Sequence, residues 1–443
     1  MNNLINPLYL SLNMEKKHFI SISEAMAKGK GHVAVRGWIY RERGSNAMKF
    51  LVLRDSSDII QCVLQREKFE KQWGNIDKLQ VEASVELEGE IKEDKRAPTG
   101  YEIQVTRINI VGLSDSFPIN KDFSEEFLLD MRHLSIRRQK MINIWKIRST
   151  VFEAIHEYFK SKGYYETQSP IFTPSSCEGG STVFEVKYFD KKVFLTQSWQ
   201  LYAEAMVPAL EKIYTVAPMF RAEKSKTARH LTECWLAEVE TAWMNFDELS
   251  KLCEGLISYI CGKVARKNSK ELEALGRDPK ELESVKSPFP KITYDEALKI
   301  LEKDGLKVSW GKDLRTLEEK QLITHYDKPL IVTHYPKKVK AFYMKEDPND
   351  NQKVLGLDVL APGIGEILGG SERETDVKII EKKLRAQGEK MEEYQWYLDV
   401  RRYGSVPHSG FGLGIERIIQ WICKLDSIKD TIPFPRTIER YKP

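Results

Sequence analysis

Residues 215–243 read TVAPMFRAEKSKTARHLTECWLAEVETAW. Val216 to Phe220 is short and apolar, as a buried strand is. Arg221, Glu223, Lys224, Lys226, Arg229 and His230 follow within ten residues. Trp235, Ala237 and Val239 then alternate with Leu236, Glu238 and Glu240. The pattern predicts a strand, a charged loop and a second strand. A rigid hairpin whose loop projects Arg, Glu and His can hold a nucleotide phosphate beside a second small substrate. The stretch alone fits a solvated turn with ordinary surface charge equally well.

The rest of the chain narrows this. Its 443 residues, 41% of them hydrophobic, suffice for two or three domains. Net charge is +4, with 69 basic against 65 acidic residues, so any basic patch must be local. Six cysteines (62, 177, 234, 253, 261, 423) include no C-x-x-C pair. Neither a zinc site nor a disulfide framework is expected, and a reducing, cytoplasmic compartment fits. No apolar run reaches membrane-spanning length, so no membrane partner is expected. The N-terminal MNNLINPLYLSLNMEKK lacks a basic stretch followed by an apolar core and does not read as a secretory signal. Residues 1–16 are expected to form a flexible extension.

Residues 17–113 read as a small β domain. HVAVRGWIYR, KFLVLRD, IIQCVLQ, VEASVELEGEI and YEIQVTRINIVG are strand-length runs rich in Val, Ile and aromatics, with GSNA and RAPTG as turns. Five short strands with one helix-like insert suit a five-stranded Greek-key barrel of OB type. Arg36, Trp38 and Tyr40 share one face of the first strand, with Arg43 beyond. Such a face can stack unpaired bases and hold phosphates, or its aromatics can close the barrel core. Residues 114–135 read as a hinge.

From 136 onward long helices alternate with strands. Ile144, Ile147, Val151, Ile155 and Phe159 recur at helical spacing, and Gly163 ends the run. A strand, a proline turn and a glycine loop follow in ETQSPIFTPSSCEGGSTVFEV, then a strand running into a helix in KVFLTQSWQLYAEAMV. Residues 262–290 read as a charged, solvated insertion. KPLIVTHYPKKVKAFYMK predicts two strands around Pro336. In LGLDVLAPGIGEILGGSERE a turn separates Asp358 from Glu366, and two such carboxylates beside a nucleotide suit magnesium. SGFGLGIERIIQWICK places glycines before a helix with Arg417 near its start, and helix N-termini favour anions.

Three pieces occur in order: a proline-bearing strand after a long helix (Pro170), the FRAE…RHLTE…E-x-E hairpin, and G-x-G-x-E-R near the C-terminus. This resembles the three signature motifs of class II aminoacyl-tRNA synthetases. The barrel in front resembles the anticodon-binding domain of their aspartyl/asparaginyl/lysyl subgroup. The likeness runs from about residue 30 to the end. It implies an α+β catalytic domain over 136–443, an antiparallel six- or seven-stranded sheet flanked by helices. It also implies activation of an amino acid with ATP and Mg2+, followed by esterification of a tRNA.

By that resemblance Arg221 grips the α-phosphate, and Glu223 accepts from the adenine amino group or positions the tRNA end. His230 and Arg417 hold the terminal phosphates, and Arg229, Leu231 and Gly414 complete the ATP site. Asp358 and Glu366 ligate magnesium. Glu178 binds the substrate ammonium and Gln200 lines the same pocket. Arg43, Phe50 and Gln61 read the central anticodon base, with Phe50 stacking on it. The strand around Pro170 packs at a homodimer interface.

The pocket also bears on the amino acid. Arg373 falls where aspartyl and asparaginyl members place an arginine on the substrate side-chain oxygen. Ala203 stands where aspartyl members carry a lysine, and Glu238 where they carry aspartate. One cation with one carboxylate suits an amide, whereas an aspartate side chain would meet Glu238 with no lysine to offset it. The pocket therefore resembles the asparaginyl members, with asparagine as substrate. AFYM at 341–344 and IPFPR at 432–436 resemble them too. Trp199 departs from the smaller residue expected there, and it either narrows the pocket or packs behind it. The alternatives are an aspartate–tRNA ligase, discriminating or not, an ammonia ligase of the asparagine synthetase type, and an inactive tRNA-binding paralogue. The barrel argues against the ammonia ligase, and intact Arg221, Glu223, Asp358, Glu366 and Arg417 argue against the paralogue.

Overall fold

The computed structural model describes residues 18–119, 123–177, 182–224 and 230–443. The N-terminal extension, Glu178 and Arg229 lie outside the described residues. The chain divides into two compact units, one ending at Leu128 and the other spanning Leu129–Pro443. No helix among the described residues is long and apolar enough to cross a membrane.

In the first unit β1 (Gly31–Gly44), β2 (Met48–Arg54), β3 (Ile59–Gln65), β4 (Ser84–Glu93) and β5 (Tyr101–Gly112) close a barrel in the order β1-β2-β3-β5-β4. The β3–β5 pairing is parallel and the other pairings are antiparallel. Strand alternation builds the interior: Val33, Val35 and Ile39 point in, joined by Leu51, Leu53, Ile60, Leu87 and Ile103. A helix, Ile22–Lys28, carries a Ser21/Glu24 capping box and contributes Ile22 and Ala25 to that core. Arg36 and Trp38 point outward, Trp38 with 47% of its surface exposed, so this face does not close the core.

The second unit is built on an eight-stranded sheet. Its strands are β6 (Tyr165–Glu166), β10 (Lys212–Phe220), β11 (Glu233–Ala242), β12 (Lys291–Thr293), β13 (Leu330–Thr333), β16 (Gly356–Ala361), β17 (Gly365–Glu372) and β18 (His408–Gly414). Two smaller sheets accompany it. One pairs β7 (Phe172–Thr173), β9 (Lys191–Leu195) and β8 (Glu185–Tyr188), and the other β14 (Glu346–Asp347) and β15 (Asp350–Val354). The main order is β12-β13-β16-β17-β18-β11-β10-β6. The six inner strands are antiparallel, and a short parallel strand closes each edge, which makes eight where six or seven were expected.

One face of this sheet is apolar. Ala237, Val239, Leu368, Phe411 and Leu413 pack on the helices Gln139–Ser161, Phe246–Lys267 and Ile415–Ile422. The predicted stripe Ile144, Ile147, Val151, Ile155 and Phe159 is fully buried there. The charged segment after Lys267 is also part of this core. It forms helices Ser269–Ala274 and Pro279–Glu283, and buries Leu272, Leu282, Val285 and Phe289. Single apolar anchors in a highly charged background carry no periodic signal, which is why the stretch reads as solvated. Around Pro336 one strand forms, β13. Residues Lys337–Val339 then make a 3-10 turn rather than a second strand, since proline has no N–H for a ladder.

Barrel closure depends on close backbone approach at Gly89, where β4 shifts register against β5. A Cβ there would collide with the Gln104 carbonyl oxygen. Gly89→Ala is therefore expected to destabilise the barrel by about 1–3 kcal/mol. Urea unfolding of the full chain, with hydrogen exchange followed across β4 and β5, checks this; unchanged protection there would contradict it.

Candidate active site and anticodon face

The other face of the sheet holds the chemistry. Along β11, Glu238 and Glu240 alternate with the buried Ala237 and Val239 and so face away from the helices. Opposite them on β18 stand Gly412 and Gly410, in register with Glu238 and Glu240. A side chain at Gly410 would collide with the Glu240 carboxylate and the Val239 carbonyl. Glycine is required here because a charged side chain crosses directly over the backbone.

Above this floor lies a cavity of about 320 Å³. Its walls include Gln200, Arg221, His230, Leu231, Glu238, Asp358, Glu366, Arg373, Gly414 and Arg417, all named from the sequence. Glu223 stands beside it, 3.8 Å from Arg221 Nη1 and 3.6 Å from His230 Nε2. The loop that carries Arg221 is fixed at its base. Arg221 N–H donates to the Thr232 carbonyl at 3.0 Å, and Thr232 N–H to that of Arg436 at 2.9 Å.

At one end of the cavity Arg373 makes a two-point contact with Glu240. Nε donates to Oε1 at 3.0 Å and Nη2 to Oε2 at 2.9 Å, while Nη1 donates to Ser371 Oγ at 2.8 Å. Both charges are buried, 3% and 1% exposed, so each depends on the other. Burial pushes the Glu240 carboxyl upward against the pull of Arg373. Burial disfavours the Arg373 charge, but Glu240 outweighs it and the guanidinium titrates higher than usual. Glu238 accepts from Ser198 Oγ and from the Trp199 N–H at 2.9 Å, which fixes its carboxylate.

Ala203 does not line the cavity. It is buried with Trp199, Val207, Ile213 and Ala242. Trp199 is among the residues around the cavity and is buried in this cluster, 2% exposed. Behind Gln200 lies a buried network. Glu204 accepts from Gln200 Nε2 at 2.9 Å, Tyr397 OH at 2.9 Å and Arg401 Nη2, and His408 Nε2 lies 3.0 Å away. Against the upward push of burial, Arg401 and His408 hold the Glu204 carboxyl well below the usual range. Gln197 joins Cys177 and Thr182: its Oε1 accepts from Cys177 N–H at 3.1 Å and its Nε2 donates to Thr182 Oγ1 at 2.7 Å.

At the other end Arg417 Nη1 donates to Glu366 Oε2 at 2.9 Å and to the Glu366 carbonyl at 3.0 Å. Burial pushes Glu366 up, but Arg417 and Lys340 overcome it and bring the carboxyl to about 2. Burial pushes Asp358 up to about 7; Lys340 opposes this and the Glu366 charge adds to it. Glu366 Oε1 and Asp358 Oδ1 lie 3.2 and 3.3 Å from the point that a Cβ of Gly369 would occupy. Two carboxylate oxygens converging beside Gly369 at the cavity wall are the hard ligands that a magnesium ion takes. Among the described residues no group of three or more protein ligands for a metal occurs.

On the barrel, β1 and β2 place Arg43 opposite Phe50. The Arg43 guanidinium lies 5.1 Å from the Phe50 ring centroid, and its Nη2 donates weakly to Gln61 Oε1 at 3.4 Å. Gln61 Nε2 donates to Glu102 Oε2 at 2.9 Å, which orients the amide. The three predicted residues thus stand together, with Arg43 exposed and Gln61 only 5% exposed.

Residues 124–438 match the class II tRNA synthetases (D, K and N). The chain belongs to this family. Residues 33–111 match the OB-fold nucleic acid binding domain. The asparagine–tRNA ligase of Thermoplasma acidophilum is 46% identical over 96% of this chain and all of its own length. That of Thermococcus kodakarensis is 46% identical over 93% of this chain and 96% of its own. The crystal structure of asparaginyl-tRNA synthetase from Pyrococcus horikoshii, complexed with asparaginyl-adenylate, superposes with a TM-score of 0.93. It shares 43% identity and covers 97% of this chain and all of that one.

The sequence names many of the residues that line the cavity, but not the residues that hold them. Glu240, Glu204, Arg401, His408 and Lys340 went unassigned. The E-x-E pair was a signal for Glu240, since its inward side is fixed by strand period. The others carry no local pattern.

The barrel face generates one expectation. Phe50→Ala should weaken aminoacylation by the equivalent of about 1–3 kcal/mol, a stacked base's contribution, and leave amino-acid activation unchanged. Pyrophosphate exchange and tRNA charging measured side by side decide it, because a parallel fall in both would make Phe50 structural.

Proposed function

We propose that this enzyme ligates asparagine to its tRNA through an aminoacyl-adenylate. The supporting observation is a single cavity with opposite chemistry at its two ends. Arg373 and Glu238 stand at one end, and Arg221, His230 and Arg417 border the other. The relatives from Thermoplasma acidophilum and Thermococcus kodakarensis are asparagine–tRNA ligases, which supports this reading.

Asparagine sits with its amide oxygen toward Arg373 and its amide nitrogen toward Glu238. Gln200 lines its backbone side, and Glu178 takes the ammonium. ATP lies over the hairpin, with Arg221 on the α-phosphate and Glu223 at the adenine amino group or the tRNA end. Arg229, His230, Leu231 and Gly414 complete its site, and Arg417 holds the terminal phosphates. Asp358 and Glu366 would hold Mg2+, which supplies charge neutralisation on the phosphates. The substrate carboxylate attacks the α-phosphorus and pyrophosphate leaves. A tRNA hydroxyl then attacks the adenylate carbonyl and AMP leaves. No covalent enzyme intermediate is needed, so alignment and charge stabilisation carry the rate.

The tRNA is recognised through Arg43, Phe50 and Gln61 on the barrel. The chain works as a homodimer through the region around Pro170. Ile171, Phe172, Tyr188 and Phe189 there are exposed, Phe189 with 80% of its surface, and an apolar patch of that kind suits burial against a second copy. All six cysteines are free, which suits the cytoplasm proposed as its compartment.

Two measurements test this reading. Arg221→Ala should lower pyrophosphate exchange by roughly two to three decades, a few kcal/mol of lost charge-assisted contact, without unfolding the protein. Near-normal exchange in the folded variant would remove Arg221 from the mechanism.

The second concerns specificity. Asparagine should be activated roughly 10⁴-fold better than aspartate, because a mismatch in a hydrogen-bonding pocket leaves buried groups unpaired. Ala203→Lys with Glu238→Asp should erode asparagine activation and admit little aspartate, because position 203 is packed beneath Trp199. A wild type that prefers aspartate would replace this reading with the aspartyl one.

A further inference from the structure

Lys340 belongs to none of the motifs, yet its side chain enters the cavity and is only 12% exposed. Burying an ammonium costs several kcal/mol unless partners offset it. Here Nζ donates to Asp358 Oδ2 at 2.6 Å and lies 3.9 Å from the centroid of the Tyr335 ring. Tyr335 is itself buried, and its hydroxyl reaches the same carboxylate. Lys340 therefore has one geometry, fixed from both sides.

The division of oxygens is informative. Asp358 gives Oδ2 to Lys340 and turns Oδ1 to the point that a Cβ of Gly369 would occupy. Glu366 gives Oε2 to Arg417 and turns Oε1 to the same point. Each carboxylate is thus gripped by a cation on its far oxygen and presents its near oxygen. The two near oxygens lie 3.3 and 3.2 Å from the position a Cβ of Gly369 would take. A freely rotating carboxylate would offer either oxygen and would lose rotamer freedom on binding; a gripped one has lost it already.

We propose that Lys340 is a positioning residue for the divalent-cation seat: it grips Asp358 Oδ2 so that Oδ1 faces Glu366 Oε1 across Gly369. The proposal rests on Asp358 and Glu366 being the metal ligands. It also distinguishes Lys340 from a competitor. A lysine that merely occupied the seat would have to leave when the ion arrived, and its removal would tighten metal binding. A lysine that holds the far oxygen stays, and its removal loosens metal binding.

The test is Mn2+ binding to the full-length enzyme without nucleotide, titrated by electron paramagnetic resonance of the free ion. It compares wild type, Lys340→Met, Lys340→Arg, Asp358→Asn and Gly369→Ala. Circular dichroism and melting first establish that each variant is folded. Lys340→Met should weaken Mn2+ about 10-fold, the lower end of what loss of an outer partner costs a metal site. Lys340→Arg should restore most of that loss, and Gly369→Ala should weaken binding by filling the cradle. In steady-state exchange Lys340→Met should raise the Mg2+ requirement more than the asparagine KM. Mn2+ affinity unchanged or tightened in Lys340→Met, while Asp358→Asn loses the ion, would overturn the role of Lys340 and leave the metal reading standing. Mn2+ affinity unchanged in Asp358→Asn would overturn the metal reading and the proposal with it.

Discussion

Strand alternation on β11 governs the catalytic unit. Ala237 and Val239 enter the helix-covered core, so Glu238 and Glu240 must face the other way. A slip of one residue would send two carboxylates into that core and leave the cavity lined by alanine and valine. The register is fixed from both sides, Thr215 opposite Glu238 on β10 and Gly412 opposite it on β18. Placing charges on a sheet face then dictates their surroundings. Buried carboxylates need partners, and Arg373, the Ser198 hydroxyl and the Trp199 N–H supply them. The partners need space, and glycine at 410 supplies it.

That constraint also explains what could be read from the chain and what could not. The hairpin, the long helix and the barrel were legible because their apolar residues recur at the period of the element. Arg221, Glu238, Arg417, Asp358 and Glu366 were named through motifs that resemble those of class II synthetases, and the fold brings all five to one cavity. The Glu204 network was not legible. Its partners Arg401 and His408 are 197 and 204 residues away, so no window of sequence contains the contact. Lys340 reads as one of several lysines in PKKVKAFYMK, and only the tertiary fold separates it from its solvated neighbours. The segment 269–289 misled in the opposite sense. Its few apolar side chains are used in the core, but they are too sparse to register as a stripe.

The two ends of the cavity share one design. Arg373 is gripped by Glu240 before any substrate arrives, and Glu366 by Arg417. Side chains already tied to protein partners lose little freedom when a ligand binds, so binding energy goes into orienting the ligand. The same logic extends outward. Gln200 is held by Glu204, which is held in turn by Arg401, Tyr397 and His408. Gln197 hydrogen-bonds both Cys177 and Thr182.

Charge balance then bears on which side chain the pocket accepts. Arg373 is already neutralised by Glu240, and Glu238 adds a negative charge of its own, held by the neutral Ser198 hydroxyl and Trp199 N–H. A neutral amide adds no charge to this arrangement and can both donate and accept. A carboxylate would set a further negative charge beside Glu238 in a buried site, where Coulomb repulsion is several-fold stronger than in water. The cation that could offset it has no room: the space at position 203 is filled by an alanine beneath the Trp199 indole, inside an apolar cluster. On the proposed reading, selectivity for the amide rests on packing around position 203 as much as on hydrogen bonding.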